Sequence, residues 1–293
     1  MRFGGRRTSS NVESGGRGSG IGGGRGIGLL MNLVASRFGI GGIIVLVIGA
    51  MLLGFNPFGG GGSSLVGPNQ QAPEAKSAAE VCATDAETHF TCQVLASTED
   101  QWGRLFAASG QTYQPTVLHI YDQSGNSGCG AAQAAMGPFY CPTDQRIYLD
   151  TSFFDELAQR YGAAGDFAQA YVVAHEVGHH IQNLTGTLDE ARAAQSRLSV
   201  VEGNAVQVQV ELQADCYAGV WAASERAAIE PGDIQEGMTA ASAIGDDTLQ
   251  RASQGFVVPE SFTHGTSDQR MEWLQRGLRT GDPAQCDTFQ ETT

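Results

Sequence analysis

Residues 175–179 read His-Glu-Val-Gly-His. In a helix, four residues advance the chain by about 400°, so His175 and His179 share one face, one turn apart. Two neutral imidazoles at that spacing can share one Zn²⁺ at about 2.0–2.1 Å. Glu176 flanks the ion without binding it, where its carboxylate can take a proton from a polarised water that attacks a carbonyl. Two histidines leave such a site one protein ligand short. A third histidine in the spacing H-E-x-x-H-x-x-G-x-x-H would fall at Thr185, and Gln182 stands where that pattern has glycine. That subclass is excluded. The other common third ligand is a glutamate from a later helix. Glu211, in the run ELQADCYAG, is the candidate. Asp215, four residues on, shares its helix face and suits the free N–H of a ligand imidazole. His264 lies in the loop FTHGTSDQR, where it suits an oxyanion donor for a tetrahedral intermediate; the plainer reading is a loop histidine beside a helix cap. Arg270 is a candidate partner for a carboxylate near the site. His180 stands about 100° round the helix from His179 and reads as a supporting or surface residue. His89 and His119 read as structural.

These residues need rigid carriers. Residues 166–184 place Phe167, Ala170, Tyr171, Ala174, Val177, Ile181 and Leu184 at helical spacing. Gly178 is the one helix-weakening residue there and marks a point where another element can come close. Residues 198–227 read as a long, largely apolar helical region that Gly203–Asn204 could split, and acids buried in it need partners. Residues 79–110 read as one or two helices, 116–122 as a strand, 124–137 as a Gly/Ser-rich loop, and PFYCP with 145–150 as a second strand. A helix capped by Thr151 spans 151–161, one more covers 234–254, and the last covers 267–279. The fold class is α+β, mainly helical, with a small sheet.

The net charge is −14, but residues 1–55 hold six arginines against the single acid Glu13. The remainder is strongly acidic, which argues against nucleic-acid binding. Residues 1–37, rich in Gly, Arg and Ser, are expected to be a disordered basic segment. Residues 38–55 (FGIGGIIVLVIGAMLLGF) carry no charge over 18 residues, the lower limit for a transmembrane helix. The long stretch before it and the lack of a small-residue cleavage site favour a permanent anchor over a signal peptide. The arginines place the N-terminus in the cytoplasm. Residues 56–78 read as a flexible tether, and residues 79–293 as the folded domain. Cys82, Cys92, Cys129, Cys141, Cys216 and Cys286 all follow the apolar run. They suit three disulfides in an oxidising compartment, with near neighbours joined: Cys82–Cys92, Cys129–Cys141 and Cys216–Cys286. The expected location is the cytoplasmic membrane, single-pass, with the domain outside.

The chain resembles the bacterial neutral zinc metallopeptidases, the YpfJ-like proteins. The resemblance runs through MRFGGRRTSSNVE, GPFYCPTDQRIYLD, AHEVGHHIQ, ELQADCYAGVWA and FTHGTSDQRMEWLQRG with CDTF. It implies a zincin-like domain of the Glu type, with one zinc on His175, His179 and Glu211 and with Glu176 as catalyst. It also implies an edge strand beside the metal that holds extended substrate, at residues 145–150 or 116–122. The expected function is hydrolysis of peptide bonds in a peptide or protein substrate on the outer side of the membrane. Two alternatives stay open: a non-catalytic, zinc-stabilised binding protein tethered to the membrane, and a zinc amidase acting on cell-wall material. Oligomeric state is left open.

Overall fold

The structure is a computed structural model that describes residues 1–15, 76–133 and 136–290. It is mainly helical, with one small mixed sheet and a separate hairpin. Three helices carry the site: α4 (Asp166–Thr185), α6 (Val200–Ser224) and α9 (Ser267–Thr280). Gly186, in the left-handed region at φ 86°, ends α4. The short α5 (Thr187–Gln195) leads back to Ser199, which opens α6 with a capping box to Glu202. α4 and α6 touch where Gly178 meets Ala214: a Cβ on Gly178 would stand 2.9 Å from the Ala214 carbonyl oxygen. α6 and α9 cross at a second pair of glycines. A side chain on Gly219 would run into the Leu274 carbonyl, and one on Gly277 into that of Cys216. The sequence reading expected close approach at Gly178, and it occurs there.

The remaining described helices are α1 (Ala78–Val81), α2 (Ala86–Ala108), α3 (Ser152–Tyr161), α7 (Asp233–Ala243) and α8 (Asp246–Gln254). Trp102 and Phe106 of α2 are buried, as are Phe154 and Leu157 of α3. These side chains form one core with Phe167, Tyr171 and Ile181 of α4 and Trp221 of α6.

The sheet contains β1 (Val12–Ser14), β2 (Val117–Ile120), β5 (Phe139–Cys141) and β6 (Arg146–Leu149), in the order β1-β2-β6-β5. β1, β2 and β6 run parallel, and β5 is antiparallel to β6. The two strands expected to hold substrate, 116–122 and 145–150, are therefore interior. The free edge beside α4 belongs to β5. His180 of α4 fastens that edge: Tyr140 Oη bonds its Nδ1 at 3.0 Å, and its Nε2 bonds the Gln114 carbonyl at 2.6 Å. His180 is fully buried, a wedge between helix and strand and not a surface residue.

Several expectations need correction. The stretch 124–137 is not simply a loop: β3 (Ser124–Ser127) and β4 (Gly130–Gln133) form an antiparallel hairpin. Residues 234–254 are two helices, α7 and α8, because Gly245 sits so close to Ser267 that no side chain fits. α6 runs unbroken through Gly203, whose cost of about 1 kcal/mol is small beside the packing of a long buried helix. Thr151 makes no capping bond at the head of α3; Asp150 accepts the Ser152 N–H instead, at 3.0 Å. Residues 1–15 are not disordered. Met1, Phe3 and Val12 are buried in the main core, and burying Phe3 alone is worth about 1.5–3 kcal/mol. The α-amino group of Met1 lies 2.6 Å from Asp166 and 3.1 Å from Asp233. The expected anchor at 38–55 and nearly all of the tether lie outside the described residues. Among the described residues no helix is long and apolar enough to cross a membrane. Ser77, assigned to the tether, already caps α1.

All three expected disulfides form: Cys82–Cys92, Cys129–Cys141 and Cys216–Cys286. The first ties α1 to α2, and the second ties the β3–β4 turn to β5. The third ties α6 to the C-terminal segment.

Candidate metal centre

The Gly178–Ala214 contact brings one face of α4 against one face of α6. His175, His179 and Glu211 meet there, and their ligand atoms lie within 4.8 Å of one another. His175 Nε2 is 3.2 Å from Glu211 Oε2, His179 Nε2 is 3.5 Å from the same oxygen, and the two Nε2 atoms are 3.1 Å apart. Ligands about 2.0–2.1 Å from a tetrahedral zinc stand about 3.3–3.4 Å apart, so the triangle has the right size.

The outer partners decide the protonation of both rings. His175 Nδ1 faces Asp215 Oδ1 at 2.8 Å, so that nitrogen carries the hydrogen and donates. His179 Nδ1 faces Gln182 Oε1 at 2.9 Å. Gln182 cannot be turned round, because its Nε2 donates to the Val210 carbonyl at 2.7 Å and to Gln213 Oε1 at 3.0 Å. His179 therefore also donates from Nδ1. With Nδ1 hydrogen-bonded on both rings, each neutral imidazole turns an Nε2 lone pair toward the other and toward a carboxylate oxygen, an arrangement that calls for a cation. Gln207 fixes Glu211, donating to its Oε1 at 3.1 Å and leaving Oε2 turned toward the rings.

Without a metal ion the acids draw a proton to the same point: burial alone would lower the His175 pKa, yet Asp215 and Glu211 raise it to about 9, so that a proton on Nε2 takes the cation's place between His175 and Glu211. Burial opposes the Glu211 carboxylate, but His179 and His175 hold it well below the usual range. Glu176 differs: burial pushes its carboxyl up, and Oε2 has no hydrogen-bond partner among the described residues. A buried polar atom aimed into a cavity without a partner fits a group that handles a water or a substrate proton.

Asp215 is fully buried and heavily used. Oδ1 accepts from His175 and from Tyr171 Oη at 2.6 Å; Oδ2 accepts from Arg270 Nε at 2.9 Å. Arg270 Nη2 also donates to Asp215 Oδ1 at 3.0 Å and to Tyr171 Oη at 3.1 Å. Burial opposes the Asp215 charge, and Arg270 and His175 keep its pKa low nonetheless. The sequence reading paired Asp215 with a ligand imidazole and Arg270 with a carboxylate; the two turn out to be each other's partners.

His264 lines the same cleft. Its Nδ1 lies 3.3 Å from Asp246 Oδ1 and 3.0 Å from Thr263 Oγ1. Asp246 Oδ2 accepts the backbone N–H groups of Thr263 and His264, both at 2.6 Å, so loop and ring are fixed together. Burial would lower the His264 pKa, but the Asp246 bond and the Glu211 charge raise it. The cleft has a volume of about 750 Å³. One wall includes Pro138 and Phe139 beside and on β5; the other includes Leu198 and Val200, which are 41% and 60% exposed. Tyr171, Gln182, Gln207 and Asp246 went unread in the sequence. The i,i+3 spacing of Gln182 from His179 and the i,i+4 spacing of Gln207 from Glu211 were the available signals.

Comparison with known proteins gives one picture. The family described as "Putative neutral zinc metallopeptidase" matches residues 1–289. "Uncharacterized protein YpfJ" of Escherichia coli K12 is 45% identical over 296 residues, 99% of each chain. "Uncharacterized protein Rv2575" of Mycobacterium tuberculosis is 41% identical over 221 residues, covering 70% of this chain and 72% of that protein. No solved structure matches the chain.

Proposed function

The chain belongs to this neutral zinc metallopeptidase family, and on that premise we propose that it is a zinc-dependent peptidase whose centre is built by α4 and α6. The observation that carries the reading is the convergence of two imidazole Nε2 atoms and one carboxylate oxygen on one point beside Glu176. His175, His179 and Glu211 would hold one zinc through Nε2, Nε2 and Oε2. When bound, zinc polarises the scissile carbonyl and makes a nearby water more acidic.

The chain's own groups do the rest. Glu176 Oε2 accepts the proton of the attacking water. Its raised pKa suits a base that must hold a proton and return it to the leaving amine. Asp215 and Gln182 keep the imidazole hydrogens on Nδ1, so both Nε2 atoms stay available. Arg270 and Tyr171 hold Asp215 in place. His264, whose pKa Asp246 raises against the effect of burial, is the donor for the developing oxyanion. β5 replaces the two interior strands as the edge that holds extended substrate, since its outer side borders the cleft.

Two features weigh against the alternatives. A structural zinc wants four protein ligands. Cys216 is spent in a disulfide, and His264 lies outside the three-residue cluster. Pro138, Phe139, Leu198 and Val200 give the cleft apolar walls that suit peptide side chains better than the sugars of cell-wall material. The three disulfides favour work in an oxidising compartment outside the cytoplasm.

The test is Glu176→Gln. It should leave zinc content and fold unchanged while hydrolysis of a peptide library falls by about 10²–10⁴-fold, the usual weight of a general base. Retained hydrolysis would remove this mechanism.

A further inference from the structure

Residues 1–15 pack onto the folded domain of residues 76–133 and 136–290. β1 pairs with β2 at Val12–Leu118, Glu13–His119 and Ser14–Ile120, and Leu118 N–H also bonds the Asn11 carbonyl at 2.9 Å. Arg6 reaches Glu225 at 2.6 Å, and Arg7 reaches Glu99 at 3.1 Å and Asp100 at 2.6 Å. Asn11 Nδ2 donates to Glu99 at 2.8 Å, and Gln93 Nε2 donates to the carbonyls of Phe3 and Arg6, each at 3.1 Å. Phe3 meets Phe90 edge to face. The basic segment thus matches an acidic shelf on the domain, in charge as well as in strand register.

From this pairing we infer that residues 1–15 lie on the same side of the membrane as the disulfide-bonded domain. A strand cannot hydrogen-bond to a sheet across about 30 Å of hydrocarbon. One crossing at residues 38–55 would put residues 1–37 and 56–293 on opposite faces. Docking of β1 and a single crossing exclude each other. The sequence of residues 16–37 argues against a second crossing there, since it is Gly-rich and includes Arg17, Arg25 and Arg37. The arginine excess that suggested a cytoplasmic N-terminus also has another explanation: Arg6 and Arg7 answer Glu225, Glu99 and Asp100 of the domain. β1 lies at the sheet edge opposite β5, so the docked segment leaves the cleft open. The inference is independent of the peptidase reading.

All six native cysteines are in disulfides, so introduced thiols report cleanly. Ser10→Cys and Ala252→Cys, both at exposed positions, would be made separately in the full chain. Intact spheroplasts are then treated with a membrane-impermeant maleimide. Both thiols should behave alike, labelled before lysis or protected together until lysis. Labelling of one before lysis and of the other only afterwards would overturn the inference. A second readout uses Glu13→Cys with His119→Cys and a protease site inserted between residues 60 and 70. After cleavage, the N-terminal piece should stay attached until reductant is added. Its release without reductant would also overturn the inference.

Discussion

Gly178→Ala tests the geometry on which the centre depends. The new Cβ would stand 2.9 Å from Ala214 O, 3.0 Å from its Cα and 3.2 Å from its Cβ. Two of these atoms are backbone, so no side-chain rotation relieves the clash. Ordinary contact requires α4 and α6 to part by about 0.5 Å. The ligand separations across that seam are 3.2 Å and 3.5 Å. They would widen to about 3.7–4.0 Å, whereas tetrahedral zinc wants about 3.3–3.4 Å and tolerates only a few tenths. Alanine regains about 1 kcal/mol of helix propensity. Overpacking costs about 1–3 kcal/mol, so the metal-free protein should lose about 0–2 kcal/mol. Zinc affinity should fall at least about tenfold, which removes about 1.4 kcal/mol of zinc-dependent stabilisation. Urea unfolding in chelator and in excess zinc measures the two effects separately, and competition with a chromophoric chelator gives the affinity. Wild-type affinity in Gly178→Ala would refute the claim that this contact sets the ligand spacing.

Asp215→Asn removes the charge that answers Arg270 and turns an NH₂ group against the donors of either Arg270 or His175 and Tyr171. Zinc affinity should drop about 10–100-fold, and chemical denaturation should show a loss of about 3–5 kcal/mol; near-wild-type values in both would reject the network. The His264 pKa is raised, so its imidazolium persists above about 6.5 and is lost as pH rises further. The alkaline limb of kcat/KM should therefore lie above that value and move to lower pH in Asp246→Asn; an unmoved limb would detach His264 from catalysis. Cys216→Ala with Cys286→Ala opens a link spanning 70 residues, worth about 4 kcal/mol by chain entropy. Gln213 donates to the Cys286 carbonyl at 3.0 Å and also holds Gln182, so zinc affinity should weaken along with stability in the same titrations.

The arrangement of the candidate centre was legible because helical spacing is rigid. His175 with His179, and Glu211 with Asp215, are each four apart, and a zinc site short of one ligand points to an acid on a buried helix. Gly178 was legible for a related reason, since a glycine inside an apolar helix face suggests close approach. The amides of Gln182 and Gln207 were not, because a glutamine on a helix face has the same signature whether it is solvated or aimed at a ligand. β5 was read together with β6 as one strand, and its separateness was hidden by its length of only three residues. The N-terminal segment was hidden by composition: Gly and Arg dominate it, and its few buried side chains follow no period. What orders it lies far away in the chain, at Glu99 and Glu225. His180 looked peripheral by helical angle, yet the strand that covers it comes from residues about forty positions earlier.

Metal analysis of the purified full-length chain bears most directly on the central claim. The account predicts about one zinc per chain, lost in Glu211→Ala and in His175→Ala while circular dichroism still reports a folded, helical protein. A Glu211→Ala protein that keeps its zinc, or a wild-type chain that binds none, would contradict it.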